Sequence, residues 1–164
     1  MISPASEPEP EIKAEDSRLL DSSRLKITPL PVVNVSANSN EGKNFPANTI
    51  DGNFNTFWSN KGKGSWLLLD LGTTKNIRSV NIAWYQGEIY DYYYEISLSN
   101  DALNFKNVKK SCSGGQSSSF LEYNLKPGSE GRYIRIEVFG NNYDDMAGIT
   151  EIQVTGSHLN AGNE

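Results

Sequence analysis

Apolar and polar positions alternate in short runs along most of this 164-residue chain, and no stretch makes a convincing helix. Val32 to Ala37 alternates apolar with small polar residues. Ser65-Trp66-Leu67-Leu68-Leu69-Asp70-Leu71-Gly72 is an apolar run closed by a turn, and Ile77 to Trp84 is broadly two-period. Tyr92 to Ser99 places Tyr92, Tyr94, Ile96 and Leu98 on one face and Tyr93 on the other. Phe105 to Lys109, Leu121 to Leu125, Arg132 to Phe139 and Ile149 to Thr155 complete the series from Ile27 onward. Successive side chains of a strand point to opposite faces, so period-two runs separated by turn clusters predict an all-β antiparallel sandwich. Such a sandwich buries one face of each sheet and gathers its loops at two ends, where binding residues concentrate. Trp84, at the end of its run, is expected in the core.

The first residues break the pattern. Met1 to Asp16 is rich in Pro, Glu, Ser and Ala, with Glu7-Pro8-Glu9-Pro10-Glu11 at its centre and almost nothing apolar to bury. Residues 1–27 are therefore expected to be a disordered acidic linker, with at most a helical turn around Arg18, Leu19 and Leu20. The domain is expected over 28–157 and a flexible tail over 158–164. The net charge of −5 divides as −2 in the leader and −3 in the remainder, a balance that disfavours nucleic acid as a partner. No apolar run approaches the roughly 20 residues that span a bilayer, and membrane association is not expected. The opening residues lack a basic stretch followed by an apolar core, so the chain is expected to stay inside the cell or to be part of a larger secreted protein. Cys112 is the single cysteine, which excludes an internal disulfide and a multi-cysteine metal site. His158, the single histidine, reads as a tail residue. Asn34-Val35-Ser36 is a glycan acceptor pattern if the chain is extracellular.

Candidate chemistry begins at Ala47-Asn48-Thr49-Ile50-Asp51-Gly52-Asn53-Phe54-Asn55-Thr56-Phe57-Trp58-Ser59. Asp, Asn and Thr oxygens two and three residues apart around a glycine suit a hard cation such as calcium, which takes several oxygen ligands from a curling loop. The spacing is not that of an EF-hand. The same residues also fit a polar turn between strands, Asp-Gly being a hairpin signal. The residues alone leave both readings open.

Seven pieces in order resemble the discoidin, or coagulation factor 5/8 type C, family, and within it family 32 carbohydrate-binding modules attached to alginate lyases and other polysaccharide-degrading enzymes. They are the segment from Ala47 to Ser59, Trp66 to Gly72, Ile82 to Gly87, Tyr94 to Asp101, Arg132 to Ile136, Gly140-Asn141, and Ile149 to Ile152. The resemblance implies an eight-stranded jelly-roll sandwich with Trp58 and Trp66 buried. It also implies a structural calcium ion held by the carboxylates of Asp51 and Glu151, by oxygens of Asn53 and Thr56, and by backbone carbonyls near Asn48 and Thr150. Such a donor set suits calcium and not zinc, which prefers Cys and His.

The resemblance places a shallow sugar site on loops at one end. Sugars are recognised by an aromatic face against the apolar side of the ring and by planar amides or charges on the hydroxyls. Tyr90, Tyr143, Asn141 and Asn142 are the expected contacts, with Gln86, Glu88 and Lys61 behind them. Two positions depart from the alginate-lyase subgroup: Tyr90 stands where a basic residue is usual, and Met146 where Trp is usual. With Asp144 and Asp145 nearby, these departures point away from a uronic acid, for which Arg is the natural fork. The expected function is a non-catalytic module that holds an attached enzyme or cell-surface protein on oligo- or polysaccharide, as a monomer tethered to another domain, extracellular or at the cell surface. The alternative is an adhesion domain binding protein or lipid, against which the polar loops and the lack of a cysteine pair both count. Enzymatic activity is not expected, because a nucleophilic site would need His158 to find an acid partner.

Overall fold

Where the sequence reads one apolar run, a Gly-Thr-Thr break and a second run, the chain forms one 20-residue strand. The structure, a computed structural model, describes residues 25–159. Expectations for residues 1–24 and 160–164 lie outside the described residues. The strands are β1 (Leu25–Leu30), β2 (Asn34–Ala37), β3 (Trp58–Lys61), β4 (Ser65–Trp84), β5 (Tyr92–Ser99), β6 (Lys106–Cys112), β7 (Phe120–Asn124), β8 (Glu130–Asn141) and β9 (Met146–Leu159), with a short 3-10 turn at Pro46–Ile50. Residues Ile27–Ser157 form one compact unit.

Strand β4 belongs to both layers of the sandwich. Its first half pairs with β2 and β8, and β5 and β6 extend that layer. Its second half pairs with β7 and β9 in the other layer. Strand β3 pairs with the start of β9, and β1 flanks β9. The crossing between layers falls where the β4–β8 register shifts, between Asp70 and Lys75. Gly72 makes the crossing possible with a φ of +85°, a backbone state that costs glycine little. Asp70 fixes it from the side: it accepts from the Gly72 N–H at 2.7 Å and from the Arg132 guanidinium at 2.9 and 3.1 Å. These bonds, Arg132 foremost, hold the Asp70 carboxyl below its ordinary value.

Alternation decides the core. Leu67, Leu69 and Leu71 from the first half of β4 meet Val80, Ile82 and Trp84 from the second, together with Tyr92, Tyr94, Ile96, Ile134, Ile136 and Val138. Burying each large apolar side chain contributes about 1.5–3 kcal/mol. Three of the buried aromatics find partners for their polar atoms, whereas the buried Tyr94 hydroxyl has none. Trp84 donates to the Tyr123 hydroxyl at 2.9 Å, Trp58 to the Ser39 carbonyl at 3.0 Å, and the Tyr92 hydroxyl to the Tyr85 carbonyl at 2.8 Å. Tyr92 and Tyr94 face inward and Tyr93 outward, as the alternation predicts.

Three expectations are corrected. The described residues hold nine strands, not eight. The two runs of β4 are one strand, while β1 and β3 are added to the series. Trp66 is not in the core: it lies between the buried Ser65 and Leu67 on the outward face of β4 and is only half-buried.

Candidate functional site

One end of the sandwich is built from the turn between β3 and β4, the loop between β4 and β5, and the loop between β8 and β9. Register and hydrogen bonds bring them together. Lys61 lies opposite Met146, the Gly62 N–H donates to the Asp145 carbonyl at 3.1 Å, and the Asn142 N–H donates to the Asp91 carbonyl at 3.2 Å. On this rim Tyr90 and Tyr143 meet edge to face with centroids 5.7 Å apart, and Tyr90 also packs on Tyr92 at 5.8 Å. Tyr143 is 70% exposed, so Tyr90 anchors it from below while most of its surface stays in water.

Asn141 holds that geometry and is not available as a contact. It is buried, and its NH2 donates to the Asp144 carboxylate at 2.8 Å and to the Met146 carbonyl at 3.0 Å. Its oxygen accepts from the N–H groups of Tyr143 at 2.7 Å and Asp144 at 2.9 Å. An amide has two donors and two lone pairs, so this one is fully committed to its own loop. The sequence expectation of Asn141 as a contact is corrected to a positioning role. Gly140 starts the same loop at φ +88°, where a Cβ would lie 2.8 Å from the Asp144 carbonyl.

The other candidates divide. Asn142 is exposed and its oxygen accepts from the Asp91 N–H at 2.8 Å, so the group it offers outward is its NH2. Gln86 is exposed at φ +45°, and its carbonyl caps the turn by accepting from the N–H groups of Ile89 and Tyr90. Glu88 is drawn sideways to the Ser118 hydroxyl, in the loop before β7. Lys61 sits 3.7 Å from Glu41, and Lys63 is 3.9 Å from Asp145. These pairs are exposed and add little stability. The rim is therefore aromatic and amide-bearing, with its cations opposed by acids.

The second cluster lies where the Asp51–Phe57 loop covers the outer face of β4, β7 and β9. Asp51 and Glu151 meet there as hydrogen-bond partners. The Asn53 N–H donates to Asp51 at 2.9 Å and to Glu151 at 3.2 Å, and the Thr56 hydroxyl donates to Asp51 at 2.5 Å. Glu151 is buried. Burial first, and then the neighbouring Asp51, push its carboxyl up to about 8. For Asp51, slight burial raises the value, but the hydrogen bonds from Glu151, Thr56 and Asn53 outweigh it and hold the carboxyl below its ordinary range. Two facing carboxyls of which one keeps its proton form a site short of positive charge. Asn48 serves the base of this loop, its NH2 donating to the carbonyls of Lys43 at 3.2 Å and Phe57 at 3.0 Å. Thr150 is buried on β9 beside Glu151. Among the described residues no three His, Cys, Asp or Glu side chains gather, so a metal here would depend on neutral oxygens beside the acid pair. Oxygen donors around two carboxyls fit calcium.

Two aromatic contacts clamp this loop and are not evident in the sequence. Phe57 stacks on Tyr85 with centroids 3.9 Å apart and planes 14° apart, and Phe54 meets Phe120 edge-on at 5.5 Å. Their only sequence signal is large aromatics in otherwise polar loops.

The F5/8 type C domain model matches residues 34–152. Among solved structures, the chain is similar to the family 32 carbohydrate-binding module of AlyQ in complex with 4,5-unsaturated mannuronic acid, at 36% identity, TM-score 0.75, covering 77% of this chain and 97% of that one. It is similar to a truncated AlyQ containing this module and alginate lyase domains, at 34% identity and TM-score 0.78, covering 85% of this chain and 36% of that one. The family 32 module of C. perfringens NanJ in complex with galactose shares the fold, at 22% identity and TM-score 0.70, covering 79% of this chain and 99% of that one. A search of curated protein sequences finds no match.

Proposed function

The chain belongs to the F5/8 type C domain family and, within it, to the family 32 carbohydrate-binding modules, and from that membership we propose that it binds a saccharide at the Tyr90–Tyr143 rim and brings an attached enzyme or cell-surface protein to polysaccharide. The module is non-catalytic. The observation that carries the proposal is Tyr143, held edge-on by Tyr90 and by the Asn141-stapled loop yet 70% exposed beside the amide of Asn142. Leaving so much aromatic surface in water makes sense when a sugar ring covers it.

The expected contacts are Tyr143, Tyr90 and Asn142, with Gln86, Glu88 and Lys61 at the margin. The preferred sugar is neutral. Glu41, Glu88, Asp144 and Asp145 outnumber Lys61 and Lys63 around the rim, so a uronate carboxylate gains little there. A structural calcium ion sits at Asp51 and Glu151 with oxygens from Asn53 and Thr56, and with backbone carbonyls near Asn48 and Thr150. Both readings draw support from the donor chemistry and from the family. The setting is extracellular or at the cell surface, with the module a monomer tethered to another domain. A modest affinity suffices there, because tethering raises the effective concentration of the second contact.

Titration calorimetry with galactose and with a mannuronate trisaccharide tests the proposal. Binding of galactose in the micromolar to millimolar range, about −8 to −4 kcal/mol, is expected. It should weaken more than tenfold in Tyr143→Ala. Equal binding by wild type and Tyr143→Ala would refute the rim. Sedimentation with anionic liposomes separates the adhesion alternative, and co-sedimentation without sugar binding would favour it.

A further inference from the structure

The end of the sandwich opposite the rim carries a second concavity. Strand β5 begins at the rim with Tyr92 and ends at Ser99, while β8 begins at Glu130 and ends at the rim with Asn141. Between the far ends of these two strands lies a cleft of about 400 Å³, lined by Asn100, Asn104, Phe105, Lys106, Ser129 and Glu130 among others. That volume falls within the roughly 300–1,000 Å³ typical of small-ligand sites. We propose that this cleft is a second saccharide site, taking one neutral pyranose unit against Phe105.

The lining has the parts a sugar ring requires. Phe105 is the apolar platform, and its position is fixed from behind: the Arg135 guanidinium carbon lies 4.0 Å from the ring centroid. Arg135 stands over the ring, and its buried Nε has no hydrogen-bond partner. The two amides are half-committed in opposite senses. Asn100 accepts from the Thr74 hydroxyl at 3.1 Å, which leaves its NH2 to donate. Asn104 donates its NH2 to Asp101 at 2.8 Å, which leaves its oxygen to accept. Neighbouring sugar hydroxyls each donate and accept, so one amide donor and one amide acceptor match them. Lys106 is opposed in the lining by Glu130, so an anionic ligand finds no net charge to meet.

The loop that carries these groups is held in place by its own hydrogen bonds. Asp101 accepts from the N–H groups of Leu103 at 2.9 Å and Asn104 at 2.8 Å and from the Ser99 hydroxyl at 2.9 Å. Ser99 in turn accepts from the N–H groups of Asp101 at 3.2 Å and Ala102 at 2.9 Å. Ala102 is held at φ +62°, a strained state for a residue with a Cβ, which persists where surroundings over-determine it. A site ordered in advance loses little entropy on binding. Seven residue steps of β5 separate the rim from the cleft, about 23 Å at the rise of an extended strand. The two sites therefore hold different sugar units, and together they let one module grip a polysaccharide at two points or bridge two chains.

The inference takes its ligand class from the saccharide reading of the rim, and residue-resolved spectra separate the two. The whole chain, labelled with 15N, is titrated with galactose and with N-acetylglucosamine at millimolar concentration. At least one sugar should shift the amide signals of Asn100 to Lys106 and of Ser129 and Glu130. Those shifts should persist in Tyr143→Ala and vanish in Phe105→Ala. Asn100→Ala, which leaves Phe105 and its packing in place, should weaken the cleft isotherm about fivefold. Shifts limited to Tyr90, Asn142 and Tyr143, or no cleft shift with either sugar, would overturn the second site. Cleft shifts without rim shifts would sustain it and defeat the rim.

Discussion

The loop from Asp51 to Phe57 and the loop from Gly140 to Met146 are similar in length and polarity, yet they are held in opposite ways. The later loop is organised mainly by its own Asn141, with Gly62 and Asp91 bonded at its edges. Asn141 uses every donor and acceptor within its own turn, and Tyr143 projects from it as a consequence. The earlier loop is completed from outside, by Glu151 of β9, Phe120 of β7 and Tyr85 after β4. It sets the buried Glu151 carboxyl, pushed up to about 8 by burial and by Asp51, against a second acid. A loop ordered mainly from within presents a group to solvent, and a loop closed by distant strands ties the fold together. In the proposed function, binding belongs to the first and cation-dependent stability to the second.

Asn141→Ala breaks the comparison at its strongest point. It removes four hydrogen bonds and leaves the Tyr143 and Asp144 N–H groups without their acceptor, at a cost of about 2–3 kcal/mol. Sugar affinity should fall more than tenfold while calcium affinity holds. Thermal unfolding and calorimetry on one preparation check both halves.

The acid pair gives a pH-dependent effect. Unfolded, Glu151 ionises near its ordinary value of 4.5; folded and free of metal, it keeps its proton up to about 8. The fold thus binds the extra proton between those values. The contribution to stability is complete below the lower value and disappears as pH rises through the upper one, on the order of a few kcal/mol in all. Melting in chelator should show this decline, and saturating calcium should flatten it. Glu151→Gln should remove both the slope and the response to calcium.

How far each loop could be read beforehand follows from the same contrast. Period-two alternation is a local property, so Tyr92 and Tyr94 inward and Tyr93 outward were legible from spacing. Strand β3 was not, because Trp58-Ser59-Asn60-Lys61 is short and its first three residues are all buried, leaving no alternation to see. Gly72-Thr73-Thr74 carries the composition of a turn, but β4 passes through it between layers, a continuity fixed by pairing with β8 and β9. The resemblance implies a buried Trp66, but its position in the pleat between Ser65 and Leu67 puts it on the outward face. Asn141 and Asn142 are adjacent amides, and only the hydrogen-bond geometry shows that one is committed and the other outward. Long-range contacts such as Phe57 on Tyr85 leave no local trace.

Phe57→Ala sharpens the contrast from the other side. It removes the stack on Tyr85 and should destabilise by about 1–2 kcal/mol, more in chelator than in calcium, with rim affinity changed less than threefold. Tyr143→Ala has the smallest effect on stability, within about 0.5 kcal/mol for so exposed a side chain, and the largest on sugar binding. Denaturant melts beside binding isotherms for the two variants separate the roles.

The most direct test of the account is a glycan array read with and without a calcium chelator. Retention of a neutral glycan in calcium, reduced by the chelator and lost in Tyr143→Ala, is the result expected. Retention of no glycan in either condition, or binding indifferent to Tyr143, would contradict it.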